Sequence, residues 1–474
     1  MKRNSLIASR KNFRITMQEA LMATHVLGSL RRLNRFVGTL SLAFSIVSAA
    51  LAQSELLTLD EAVRLAVDHN RTIQQTALSA KESDDVIAAA KTQRLPSFKF
   101  SSTTGILLTR PTVTFEKGAF GEYPGIGPIP GDTTRIASPR KPTAMLESQV
   151  ALPLTQQYKI GLNLKLLNVN KRIALEQVRL TRQEVVRQVR QTYYSIVQSQ
   201  SSLDTIEQNL ALLREIVAET GNYVKAGTAL NGDLLNVQAR LAQAESDKVS
   251  LTGPLATQKE QLNLLLGRRI DTDFRVSPTV EATWIPELAE ARERAVASRP
   301  DLQQARLKVE QADLDRRKKK SESIPDVSLS VSYYSAINVS STLPRNLAIA
   351  GVSTSWEPFD WGRKRHELAQ KGKVTQEATL ALREMEDKVR IEVGSAHRKM
   401  QEARTFLTAA RAGQESTRES VRLARVRLRN EAVLMKDVLE AQADLALANE
   451  RTQKAHAAYW SARADLEKAI GEEQ

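Results

Sequence analysis

The chain has 474 residues, 42% of them apolar and only 5% aromatic, with no cysteine and a formal net charge of +14. That composition excludes a disulfide framework and thiolate metal sites, and its wealth of Ala, Leu, Arg, Gln and Glu suits long helices better than an enzyme core. Nucleic acid is also disfavoured as a partner. Residues 1–52 hold 8 Lys/Arg and 1 Asp/Glu, which leaves 60 against 53 in the remainder, and no aromatic residues interleave with the basic clusters.

Residues 1–52 read as an N-terminal extension and signal peptide. Arg31, Arg32 and Arg35 form a basic flank, Phe36 to Leu51 is apolar or small, and Ala50-Leu51-Ala52 offers a cleavage site before Gln53. The apolar run is short for a spanning helix. Residues 1–30 lie upstream of the signal, so Met17 or Met22 is a candidate start. With no cysteine at the new N-terminus, lipid acylation cannot anchor the product.

From Leu57 to Arg94 the pattern is helical, opened by Thr58, Asp60 and Glu61 and broken at His69-Asn70-Arg71; Pro96 ends the second piece. Ser97 to Leu108 then alternates, with Phe98, Phe100, Ile106 and Leu108 against Lys99, Ser101 and Thr103. A Gly/Pro-rich loop over 109–143 leads to a second strand over 144–152, and the two strands form a long-tipped hairpin. A long helix is expected over about 155–223, its coiled-coil seam marked by Leu203, Ile206, Leu210, Leu213 and Val217. Gly221 to Gly232 reads as a turn with its tip at 225–233. Helix follows over 233–266, kinked at Gly253-Pro254 and closed by Gly267.

The second half repeats the first. At an offset of 229, Leu59, Ala62, Gln74, Leu78 and Pro96 fall on Leu288, Ala291, Gln303, Leu307 and Pro325; at 204, Val189, Asp233, Gln238, Leu241 and Gly267 fall on Val393, Asp437, Gln442, Leu445 and Gly471. The expected domains are therefore a first repeat at 53–267, a linker at 268–285 and a second repeat at 286–471. In the second repeat, strands are placed at 326–337 and 347–357, a long helix at 361–429, a tip turn at 429–437 and a helix at 437–470. Val327, Leu329, Val331 and Tyr333 oppose Asp326, Ser328, Ser330 and Ser332 on the first of those strands, and Ala350, Val352 and Trp356 continue the oily face on the second.

Strands of about ten residues with one oily face match tilted transmembrane strands. Four cannot close a barrel, and lipid tolerates no open edge, so several chains must share one; three copies give an even twelve. The fold class is thus mainly α with a membrane β-barrel. It comprises long antiparallel coiled-coil helices, four transmembrane strands per chain, two tandem repeats, and a trimeric twelve-stranded barrel.

The junction Trp356-Glu357-Pro358-Phe359-Asp360-Trp361-Gly362-Arg363-Lys364 resembles the strand-to-helix junction of TolC-like outer-membrane efflux proteins. So do Leu57-Thr58-Leu59-Asp60-Glu61-Ala62 and the Ala-Gly-Thr…Asp-Leu-Leu-Asn-Val-Gln pattern from Ala226 to Gln238. With the duplication, the resemblance covers nearly all of 53–471. It implies a homotrimer in outer-membrane lipid, with an α-helical tunnel as its large periplasmic portion. Such a trimer is the passive exit duct of a tripartite efflux or type I secretion system, fed by an inner-membrane pump through a periplasmic adaptor.

By the same resemblance, adaptors dock at the helix tips, here Gly227, Thr228, Asp233 and Glu431, and an acidic ring at the aperture matches Asp437 and Glu440. The junction residues are Pro358, Phe359, Asp360, Gly362 and Arg363. Two positions depart from the pattern: Glu431 stands where glycine is usual, and Val433 where a basic latch residue is found.

Enzymatic chemistry finds no foothold. The five histidines, His25, His69, His366, His397 and His456, are scattered without metal-ligand spacing, and neither a phosphate-cradling loop nor a nucleophile elbow occurs. No cofactor and no metal are expected. His397 aligns with Tyr193 and should pack a helix surface. The clusters Arg316-Arg317-Lys318-Lys319-Lys320 and Arg363-Lys364-Arg365 are expected to be solvated, or to meet headgroups or acidic neighbours. The alternative reading is a periplasmic coiled-coil adaptor or scaffold, which would carry one helical hairpin in compact β-domains instead of two equivalent halves.

Overall fold

The computed structural model describes residues 55–106, 108–109, 112–137, 142–228, 230–277, 286–338, 345–430 and 432–472; the expected signal peptide and Glu431 lie outside them. In chain order the elements are β1 (Glu55–Leu57), α1 (Leu59–His69), α2 (Arg71–Thr92), β2 (Ser97–Ile106), β3 (Thr112–Phe115), β4 (Glu122–Tyr123), β5 (Gly127–Pro128), β6 (Thr134–Ala137), β7 (Pro142–Pro153), α3 (Gln156–Lys225) and α4 (Asn231–Leu265). They continue with β8 (Phe274–Val276), α5 (Leu288–Ser298), α6 (Pro300–Ser321), β9 (Asp326–Ile337), β10 (Asn346–Ser355), α7 (Arg363–Arg429) and α8 (Met435–Ile470).

Two units are distinguished. The smaller holds, among the described residues, 55–58 and 271–277, whose strands β1 and β8 pair in parallel with Leu57 beside Val276. Leu57 therefore lies in a strand where helix was expected, and a short strand falls within the stretch expected as a linker at 268–285. Three-residue strands carry too little alternation to be seen in sequence.

The larger unit holds the helices and the four-stranded antiparallel sheet β10-β9-β7-β2. Register fixes the faces of that sheet, because residues directly opposite on neighbouring strands project to one side. Phe98, Val150, Val331 and Ala350 form one such row, and Leu152, Leu329 and Val352 another. The other side carries Ser97, Ala151, Ser330 and Gly351, then Lys99, Gln149, Ser332 and Ile349. One face is therefore oily and the other largely hydroxylated. β2 and β10 are the edges. Between β2 and β7, β3 pairs with β6 and β4 with β5, so the loop read from sequence has ordered hairpins of its own.

At 70 and 67 residues, α3 and α7 would each run about 100 Å at 1.5 Å per residue. α3 packs against α2, α4, α6 and α8, and α7 against α5, α6 and α8. The expected seam is present, and it changes partner along its length. Leu210 and Leu213 pack on Ala244 with Ile206 and Leu241 alongside, whereas nearer the tip Ile216 packs on Val237 and Leu439.

Local boundaries differ from expectation at three places. α3 continues through Gly221, and α4 has already begun at Gly232, leaving a tight turn where a broad one was expected. The expected kink at Gly253-Pro254 falls inside a helix that continues past Pro254. Proline removes one backbone donor there, a loss that packing along the rest of a 35-residue helix can absorb. Trp361 and Gly362 precede α7 and do not belong to it, because both adopt positive φ, 53° and 84°.

Candidate functional site

Three places carry the sequence-predicted residues. At the strand–helix junction, the Asp360 carboxylate accepts hydrogen bonds from the backbone N–H of Gly362 (3.1 Å) and Lys364 (3.0 Å), satisfying donors that the first turn of α7 leaves open. These bonds, with Lys364 and Arg363 nearby, hold its pKa below the ordinary carboxylate value. Gly362 supplies the left-handed turn at little steric cost, but Trp361 adopts the same region with a bulky side chain, a conformation held only where surroundings over-determine it. Phe359 and Trp361 meet edge to face at 4.8 Å while both stay exposed, as does Pro358. Arg363 pairs with Glu357 (2.6 Å) and Glu367 (3.5 Å).

The basic clusters find acidic neighbours. Lys319 bridges Glu322 and Glu367, Arg316 and Arg317 share Asp313, and Lys364 reaches Glu357. The first half has its own junction, built differently: the Thr155 hydroxyl donates to the Pro325 carbonyl at 2.7 Å and accepts from Val327 N–H, and Lys159 pairs with Asp326.

At the first tip, Gly227 (φ 75°) ends α3 in a Schellman turn, with Thr228 N–H donating to Tyr223 O at 2.9 Å and Gly227 N–H to Val224 O at 3.0 Å. Asp233 then accepts from Leu230 N–H at 3.3 Å. The second tip repeats these contacts at the offset of 204, since Ala432 N–H donates to Arg427 O and Asp437 accepts from Leu434 N–H, both at 2.9 Å. Asp437 therefore opens α8, and Glu440 lies one turn on; both are exposed. The two helical hairpins are tied near the tips by Arg240 donating to Leu439 O at 2.8 Å and by the Arg425–Glu215 pair at 3.3 Å. Nearby, Gln442 is buried with neither amide atom hydrogen-bonded.

Sequence reasoning missed the joints where each short helix meets the end of a later one. Asn70 caps α2 through Thr72 and Ile73 N–H and donates its amide to Leu265 O, the end of α4, at 2.8 Å. At the equivalent joint Arg299 donates to Ala469 O and pairs with Asp301 (2.6 Å) and Glu392 (2.8 Å), while Ser298 donates to Ile470 O. Asn70 and Arg299 are 229 apart, and Leu265 and Ala469 are 204 apart, so the two offsets could have located the joint.

Between α3 and α8 runs an ion-pair network of Glu184, Arg187, Arg190, Asp465, Glu467 and Lys468. The Arg187 hydrogen bond, helped by Lys468 and opposed by burial, holds Glu184 down to about 2. Tyr194 stacks on Trp460 at 4.5 Å, and burial raises its phenol to about 12. His397 is buried and hydrogen-bonded to Pro286 O at 3.1 Å, a packing role as expected. Among the described residues no group of His, Asp or Glu could hold a metal, and no helix is long and apolar enough to cross a membrane.

Long paired helices springing from a small sheet with one oily face define a mainly helical, channel-type fold. Residues 62–268 and 291–472 match the Outer membrane efflux protein family, and the chain belongs to it. It is therefore an outer-membrane transport protein. Among solved structures it resembles the outer-membrane channel OprN (18% identity, 87% of this chain and 89% of that one, TM-score 0.69) and the Campylobacter jejuni CmeC outer membrane channel (15%, 87% and 85%, 0.69). It also resembles the outer membrane protein VceC of Vibrio cholerae (15%, 87% and 96%, 0.67). No curated protein sequence matches it.

Proposed function

We propose that the protein is the exit duct of a tripartite efflux or type I secretion system, a homotrimer whose chains share one twelve-stranded barrel. The observation that carries this reading is the sheet: one face is oily, the other largely hydroxylated, and both edges, β2 and β10, are unpaired among the described residues. In lipid such edges must find partners, and β10 of one copy against β2 of the next satisfies both at once. The duplication is supported by element lengths, helices of 11, 22, 70 and 35 residues in the first half and 11, 22, 67 and 36 in the second.

In this reading residues 1–52 are removed on export, the tips at 226–230 and 430–434 meet a periplasmic adaptor, and Asp437 and Glu440 form acidic rings at the inner mouth. Because Asp437 also caps α8, its charge is best removed as Asp437→Asn. With Glu440→Gln, that change should lower cation selectivity in planar bilayers; unchanged selectivity removes both residues from the mouth. The reading as a whole is tested by fractionation. The mature protein should resist salt and alkali and leave membranes only in detergent, and release by alkali would sink it.

A further inference from the structure

On the hydroxylated face of the sheet the register gathers one apolar exception. Glu147, Tyr334 and Leu347 stand side by side on β7, β9 and β10, with Ser101 beyond Glu147 on β2. Ile349 lies in the next row on one side and Met145 in the next row on the other. Tyr334, Leu347, Ile349 and Met145 are 37%, 50%, 51% and 54% exposed among the described residues. The aromatic and aliphatic side chains of the inserted loop, Phe120, Tyr123 and Ile126, are themselves exposed. Lipid is on the opposite face, and in a closed barrel a neighbouring copy abuts the edges, not this surface.

The charge beside the patch selects its occupant. The Glu147 carboxylate makes only a long hydrogen bond, 3.5 Å, with the Ser101 hydroxyl and has no cationic partner among the described residues. Lys99 on β2 is the diagonal neighbour of Glu147 and forms no ion pair with it; β7 and β9 separate it from Leu347 and Ile349. A carboxylate beside an aromatic ring, with two aliphatic side chains on the ring's far side, suits a cation whose charge is carried on an apolar body, through ion pairing, cation–π attraction and burial together. Resting on the exit-duct reading above, we propose that Glu147, Tyr334, Leu347 and Ile349 form a contact site inside the barrel for lipophilic organic cations.

The test is block of single-channel conductance in planar bilayers by tetraphenylphosphonium, with tetraphenylborate as the anionic counterpart of the same shape. Block by the cation should be the stronger. Glu147→Gln, which keeps size and hydrogen bonding, and separately Leu347→Ser with Ile349→Ser, should each raise the half-blocking cation concentration by about threefold or more. Equal block of parent and variants, or equal block by the anion, overturns the site. Altered conductance with unaltered block also overturns it, by showing that these residues line the pore without holding the cation. Absence of any conductance from the parent protein instead overturns the exit-duct reading on which the site rests.

Discussion

Replacing Gly267 by alanine tests how the short helices are joined to the end of α4. The residue sits at φ 69°, and a Cβ there would lie 2.2 Å from the carbonyl oxygen and 2.8 Å from the carbonyl carbon of His69. The left-handed conformation alone costs a non-glycine residue about 1–2 kcal/mol. Relieving roughly an ångström of overlap with backbone, which cannot rotate away, adds about 1–3 kcal/mol. The sum, about 2–5 kcal/mol, should appear as a lower midpoint in urea unfolding followed by helix circular dichroism at fixed detergent concentration. Gly471 provides the control. Its φ is 91°, but its Cβ would meet the rotatable Ser298 hydroxyl at 2.6 Å, so Gly471→Ala should cost less, about 1–3 kcal/mol. A Gly267→Ala midpoint within error of the parent, or a larger loss at Gly471 than at Gly267, would refute the reasoning.

Glu184, held near 2 against an ordinary 4.5, contributes stability that is fully present above about pH 4.5 and lost as pH falls toward 2. Because the group is partly exposed, the contribution is discounted to about 1 kcal/mol, and Glu184→Gln should flatten the acid limb of an unfolding series by that amount. Asp360→Ala should fray the first turn of α7, seen as faster hydrogen exchange at Gly362 and Lys364, while Asp360→Asn should restore protection; equal exchange in all three would remove the capping role. Gln442→Leu should raise the unfolding midpoint by about 1 kcal/mol, since it replaces a buried amide with no hydrogen-bond partner by an apolar group of similar size. A lowered midpoint would show that the amide has a partner in the assembled protein.

The sequence was most legible where side-chain period and local chemistry agree. The Val/Ser alternation from Val327 to Tyr333 marks β9, which occupies Asp326–Ile337, and Asp233 and Asp437 announce helix starts that their carboxylates cap. Burial of Leu210 and Leu213 follows the 3-4 spacing directly. What stayed hidden depends on residues far apart in the chain. Arg299, in an Arg-Pro-Asp triplet that looks like surface, is buried because the end of α8 reaches it across 170 residues. Glu184 and Lys468 are 284 apart, and no local pattern links them. The parallel pairing of β1 and β8 failed to show for a related reason, since each strand's ladder partner lies more than two hundred residues away in the chain. Of the candidate residues, Asp360 and Gly362 have their geometry explained locally, while Asp437 proves to be a helix cap as well as a candidate ring acid.

The central claim is that β10 of one copy pairs with β2 of another and that the ring closes at three. Because the chain has no cysteine, pairs can be introduced cleanly, one cysteine along 97–106 and one along 346–355, and oxidised in membranes. The account predicts that some pairs cross-link between copies and that the covalent products stop at a trimer. Chains that remain monomeric for every pair, or a ladder running past three, would contradict it.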